Sequence, residues 1–103
     1  MSTRLMMEEY RNICDEVERG LGSVGKLKIL KLLMQKSDEV FTRYRIGKYV
    51  SIDPVSIRND LKILVEIDWV TEFKAQHLSK YSINREKKKV KHLIDFFREI
   101  GYL

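Results

Sequence analysis

Apolar residues recur at spacings of three and four along most of the chain, which is the period of a helix packed on one side. Met6, Tyr10, Ile13 and Val17 are spaced four, three and four and predict a first helix. Thr3 is placed to cap it, and Gly20 and Gly22 end it. Ser23 is placed to cap a second helix over Val24–Lys36. There Leu27, Ile29, Leu30, Leu32, Leu33 and Met34 cover much more than one stripe, with Lys26, Lys28 and Lys31 on the remainder. A helix apolar on most sides is buried from two directions. Val40 and Phe41 then read as a short extended piece. Thr42 caps a brief third helix that runs through Val50 and turns Ile46 and Val50 inward.

Asp53-Pro54 is the clearest local signal. The carboxylate can accept from a first-turn N–H, and proline suits the first helical position, where an N–H has no partner. The helix that follows reaches about Ile67 and buries Ile57, Leu61 and Leu64. Val55, Ser56, Arg58, Asn59 and Lys62 fall on its other side. Trp69–Lys74 and Lys80–Ile83 alternate as paired strands, with Tyr81 and Ile83 on one face. The hairpin tip is residues 75–79, without Gly or Pro. Asn84 is placed to cap a last helix, Arg85–Ile100, whose broad apolar face holds Val90, Leu93, Ile94, Phe97 and Ile100, extended by Phe96.

The chain has 103 residues, 44% of them hydrophobic, enough for one core and against disorder along its length. No run without a charged side chain exceeds the six residues Gly20–Gly25, which excludes a helical membrane span. The amino terminus lacks the basic-then-apolar layout of a secretory signal, so a cytoplasmic location is expected. The net charge is +5, unevenly spread. Residues 1–22 carry five acidic side chains against three basic ones, whereas residues 43–63 carry five basic against two acidic. A basic centre behind an acidic first helix suits a phosphate-facing surface; the plainer alternative is a solvated face.

A short helix, a tight turn and a second helix with an exposed polar face form a helix-turn-helix. The run Ser56, Ile57, Arg58, Asn59, Asp60, Leu61 and Leu64, leading on to Trp69 and Val70, resembles the recognition helix and wing start of prokaryotic winged helix-turn-helix transcription regulators. Gly22 to Leu33 looks like that family's first core helix, and Phe41 to Ile46 like the approach to its helix-turn-helix. The resemblance spans about residues 22–84; Ser51 stands in the turn where glycine is common, and the wing has no glycine. It implies a mainly α fold with a small β-hairpin, a winged helix-turn-helix with extra N- and C-terminal helices. The chain would be one domain: residues 1–21 the first helix, 22–84 the winged-helix core, 85–103 the last helix.

On that reading Arg58, Asn59 and Val55 contact bases, because Arg matches the guanine edge and Asn the adenine edge. Ser56, Lys62, Arg43 and Arg45 reach phosphate, as do Lys74, His77 and Lys80 around the wing tip. The lysine-rich run Glu86–Lys91 is either a second phosphate patch or the solvated face of a packed helix. Cys14, His77 and His92 are the only soft ligands, too few to converge on a metal, so neither metal nor cofactor is expected. No phosphate loop or nucleophile motif occurs, and an enzyme is not expected.

The terminal helices offer more apolar surface than a small core hides. Met6, Tyr10, Ile13, Val17, Leu93, Phe97 and Ile100 are therefore the expected interface of a homodimer on double-stranded DNA. The alternative function is a winged-helix protein-interaction or assembly module without a specific DNA target.

Overall fold

A computed structural model of the chain describes residues 3–103, with side chains from Met6 onward. The order is α1 (Thr3–Leu21), α2 (Val24–Gln35), α3 (Arg43–Tyr49), α4 (Pro54–Glu66), β1 (Val70–Ala75), β2 (Leu78–Ile83) and α5 (Lys88–Glu99). The side chain of Thr3, the expected cap of α1, lies outside the described residues.

Local chemistry sets the starts of the three central helices. Ser23 Oγ accepts from Lys26 N, Thr42 Oγ1 from Arg45 N, and Asp53 Oδ2 from Ser56 N, each satisfying a first-turn donor that has no partner inside its helix. Helix α4 stops in a Schellman turn: Asp68 N–H donates to Val65 O and Trp69 N–H to Leu64 O. Asp68 takes the left-handed conformation there, with φ 67°. The same motif closes α5 around Gly101 at φ 82°, with Tyr102 N–H donating to Phe97 O and its ring centroid 5.1 Å from that of Phe97.

Helix α2 runs through the centre, as its all-round apolar pattern requires. Ile29, Leu30, Leu33 and Met34 are fully buried among Phe41, Ile46, Ile57, Leu61, Leu64, Trp69 and Val90. Tyr81 and Ile83 face this core from β2, and Phe41 pairs with Tyr81 in an isolated antiparallel bridge. Lys26, expected on the polar remainder of α2, is instead buried at 8% exposure. Its charge acts on Asp60 of α4, whereas Lys28 stays exposed.

Two expectations on local structure need correcting. The hairpin turns on only Gln76 and His77, because Ala75 already pairs with Leu78. Gln76 adopts φ 58° there, the left-handed conformation such a turn demands, without a glycine. Asn84 does not cap α5. Its amide donates to Asp68 O and its carbonyl accepts from Glu86 N, which ties the end of the wing to the end of α4. Helix α5 therefore starts three residues later than expected, at Lys88.

Helix α1 is held mainly through its C-terminal half. A Cβ at Gly20 would lie 2.2 Å from the buried ring of Trp69, so only glycine permits this approach. Glu16, with its side chain 15% exposed, accepts from Trp69 Nε1 at 2.5 Å and from Lys89 Nζ at 2.6 Å, with Lys87 Nζ 3.4 Å away. Lys87 also donates to Ile67 O. Two lysines of the run expected to meet phosphate or solvent thus pair with a carboxylate of α1. Arg19 adds an exposed pair with Glu66 at 2.7 Å.

Candidate nucleic-acid interface

Helix α4 is amphipathic in a way that separates structure from chemistry. Ile57, Leu61 and Leu64 are at most 2% exposed, while Val55, Arg58, Asn59 and Lys62 project from the opposite side. Arg58, Asn59 and Lys62 have no hydrogen-bond or ion-pair partner among the described residues. The cap aims this face. Asp53 accepts both the backbone N–H and the hydroxyl of Ser56, at 3.0 and 2.6 Å, and these bonds hold its carboxyl below the usual carboxylate range. Ser56, expected to meet phosphate, therefore has its hydroxyl proton engaged within the cap.

Two hollows flank α4. On the α3 side a concave space of about 550 Å³ is lined by Gly47, Ile52, Pro54, Val55 and Ile57, by the ring of Tyr44, and by the cations Arg43, Lys48 and Arg58. On the α2 side a more polar space of about 440 Å³ is bounded by Ser23, Gly25 and Lys28 and by Ser56, Asn59 and Asp60. Burial pushes the Asp60 carboxyl up, against the pull of Lys26. Gly25 gives it room: a Cβ there would lie 2.4 Å from Asp60 Oδ2. Arg58 and Asn59, adjacent in sequence, thus open onto different hollows.

The other expected residues divide. Arg43 is exposed on α3 and lines the same hollow as Arg58. Arg45 does not line it. Two residues further round a seven-residue helix, it is bound to Glu39 at 2.7 Å, a bond that raises its pKa and lowers that of Glu39, and it lies over the Phe41 ring at 4.3 Å. Lys74, His77 and Lys80 are all exposed on the wing. Tyr44 and Lys48, which the sequence reading did not select, form a cation–π pair at 4.8 Å beside Arg43. Their i, i+4 spacing was visible, but not that this face of α3 borders α4.

Of the residues expected between protomers, Met6, Tyr10, Ile13 and Val17 form an exposed seam on α1, and Ile100 is exposed just past the end of α5. Phe97 is not available in the same way: at 6% exposure it packs inside its own core against Tyr102. Leu93 is partly buried against that core. Phe96, one residue before Phe97, is the exposed aromatic of α5. Among the described residues there is no cluster of three His, Cys, Asp or Glu able to hold a metal, and no helix is long and apolar enough to cross a membrane.

No family model matches the sequence, and no curated protein does. Solved structures do. The chain is similar to the transcriptional repressor BigR from Xylella fastidiosa, with TM-score 0.70 and 18% identity over 96% of each chain. It is similar to HlyU from Vibrio cholerae, with TM-score 0.73 and 14% identity over 93% of this chain and 99% of that one. It is also similar to Mb0332 from Mycobacterium bovis, a homodimeric winged helix-turn-helix DNA-binding domain described as a possible ArsR-family transcriptional regulator. There the TM-score is 0.68 and the identity 19%, over 98% of this chain and 87% of that one. The likeness establishes the winged helix-turn-helix fold, with five helices and a two-stranded antiparallel hairpin.

Proposed function

We propose that the chain is a sequence-specific double-stranded DNA-binding protein that regulates transcription as a homodimer. The observation that carries this reading is the outward face of α4, where Val55, Arg58, Asn59 and Lys62 stand unengaged opposite a fully buried stripe. A side chain without a partner inside the protein is free to find one on a base edge. Arg58 suits guanine O6 and N7, Asn59 suits adenine N6 and N7, and Val55 adds apolar contact. Arg43 and Lys62 suit phosphate, which sets register and affinity without reading sequence. Lys48 belongs with them, since it lines the same hollow as Arg43. On the wing, Lys74, His77 and Lys80 reach the backbone on either side of the groove.

The homodimer is supported by the unburied seam of α1 and by the homodimeric Mb0332 domain, which shares this fold. Two copies related by a two-fold axis would present two α4 helices to a palindromic site about one helical turn apart, roughly 34 Å. Regulation would then follow from occupancy, since nothing in the site calls for catalysis.

Duplex binding measured across salt concentrations tests the reading. Affinity should fall steeply, by roughly 0.9 in the log–log slope for each phosphate contact. Arg58→Ala and Asn59→Ala should each cost about 1–3 kcal/mol on the preferred site and much less on random duplex. Arg43→Ala should weaken every sequence alike and flatten the slope by about one contact. No duplex binding even at low salt would sink the reading and leave a protein-interaction module in its place.

A further inference from the structure

We propose that the hollow between α3 and α4 recognises the 5-methyl group of a thymine, with Val55 and Tyr44 as the specificity-determining walls. The inference rests on the duplex-DNA reading above and narrows which base pairs that reading selects.

Val55 sits in the first turn of α4 at 56% exposure, and Tyr44 on α3 at 76%. Neither packs in the core, yet both line the same hollow, and among the described residues the only contact the fold gives the Tyr44 ring there is Lys48. The rest of the uncharged lining is apolar, with Ile57 buried at its base beside Gly47, Ile52 and Pro54. Gly47 deepens the hollow, since a Cβ there would reach to 3.5 Å from Ile57 Cδ1 and partly fill the space. Three cations complete the lining, Arg43, Lys48 and Arg58.

The charge pattern selects the occupant. A purely apolar partner would leave Arg43 and Arg58 without a counter-charge and Lys48 with only the Tyr44 ring, and a free anion would gain nothing from the apolar lining. A duplex supplies both halves: phosphates for the cations and, along the major-groove edge, one apolar feature, the thymine methyl. N-terminal residues of a recognition helix are the ones that meet base edges, and Val55 is among them. Arg58 follows three residues later, about 4.5 Å along the helix axis. The base-pair repeat is about 3.4 Å, so the thymine should lie within about two base pairs of the guanine that Arg58 reaches.

The test begins with selection of a preferred site from random duplexes by the full chain. Each thymine of that site is then replaced in turn by uracil, which keeps every hydrogen-bonding group and removes only the methyl. One thymine per half-site should show about a fourfold loss of affinity, the value of one buried methyl, and the others almost none. Val55→Ala should erase most of that loss, with Tyr44→Ala as the independent second variant. Both positions are exposed, and thermal melts should show unchanged folding. If a site is selected but uracil is tolerated everywhere, or the loss survives in both variants, the methyl reading falls while DNA binding stands. If no duplex is enriched, the DNA reading fails and this inference with it.

Discussion

Helices α4 and α1 are both amphipathic, yet their apolar stripes end up on opposite sides of the protein surface. Ile57, Leu61 and Leu64 of α4 lie inside the protomer and leave polar residues facing out. Met6, Tyr10, Ile13 and Val17 of α1 face out, while α1 docks through the glycine Gly20, the charged side chains of Glu16 and Arg19, and one apolar residue at its end, Leu21. The outward face of α4 leaves Arg58, Asn59 and Lys62 unengaged among the described residues, as the proposed DNA contact requires. That of α1 is built to meet something apolar, and a second α1 supplies the same kind of surface. Periodicity reports which side of a helix is apolar; it does not report whether its own chain or another one covers that side.

The comparison is broken most directly by charging the seam. Ile13→Asp places a carboxylate where the proposed dimer would bury it unpaired, costing about 3 kcal/mol or more unless the protomers separate. Ile13 is 46% exposed and takes no part in the core of the helix-turn-helix, so the variant should fold as a monomer. Sedimentation velocity and circular dichroism together decide it. A monomeric wild type, or a variant that remains a folded dimer, would show that the seam is not the interface.

A second substitution probes how α1 is docked rather than what covers it. Helix propensity alone predicts that Gly20→Ala stabilises the protein by about 1 kcal/mol. Packing predicts the reverse, because the new Cβ would lie 2.2–2.7 Å from three atoms of the Trp69 ring. That ring is 1% exposed and cannot yield without disturbing the core. Overpacking of this kind costs about 1–3 kcal/mol, so a net destabilisation in urea melts is expected. A stabilised variant would mean that α1 is free to lift away, and that its link to the helix-turn-helix is weaker than the ring contact implies.

What could be read beforehand follows the same division. The starts of α2, α3 and α4 were legible because Ser23, Thr42 and Asp53-Pro54 act within one turn, and the buried stripe of α4 agreed with its cap. The outward set of Arg58, Asn59 and Lys62 followed from that stripe by elimination. Arg45 misled because its charge is visible in sequence but its partner Glu39 is chosen by the turn that brings the segment before α3 back onto it. Asn84 misled because an Asn before a lysine-rich helix also suits a turn, and the carbonyl of Asp68, sixteen residues away, decided between the two. Phe97 is covered by Tyr102, which the turn after α5 folds back onto it, while Lys26 and the lysines at 87 and 89 share another cause. Their surroundings come from elements far along the chain, which no local pattern encodes.

The smallest expected effect concerns Glu16, the polar clip between α1 and the rest of the molecule. Desolvation pushes its pKa up, but the hydrogen bonds from Lys89 and Trp69 and the charge of Lys87 outweigh that and hold it below the usual glutamate range. A carboxylate whose pKa is lower folded than unfolded adds stability above its unfolded value, and that stability is lost as pH falls through the folded one. Glu16→Gln keeps an acceptor for Trp69 Nε1 but removes the charge facing the two lysines. It should destabilise the protein by about 1 kcal/mol near neutral pH, within the usual range for a hydrogen bond to a charged group after screening. The difference between wild type and variant should shrink as pH falls below the usual glutamate range and wild-type Glu16 takes up its proton. Other carboxylates titrate in both proteins and cancel in that difference, so the pH profile isolates this group. A difference independent of pH would mean that shape, not charge, is what Glu16 contributes to holding α1 against Trp69.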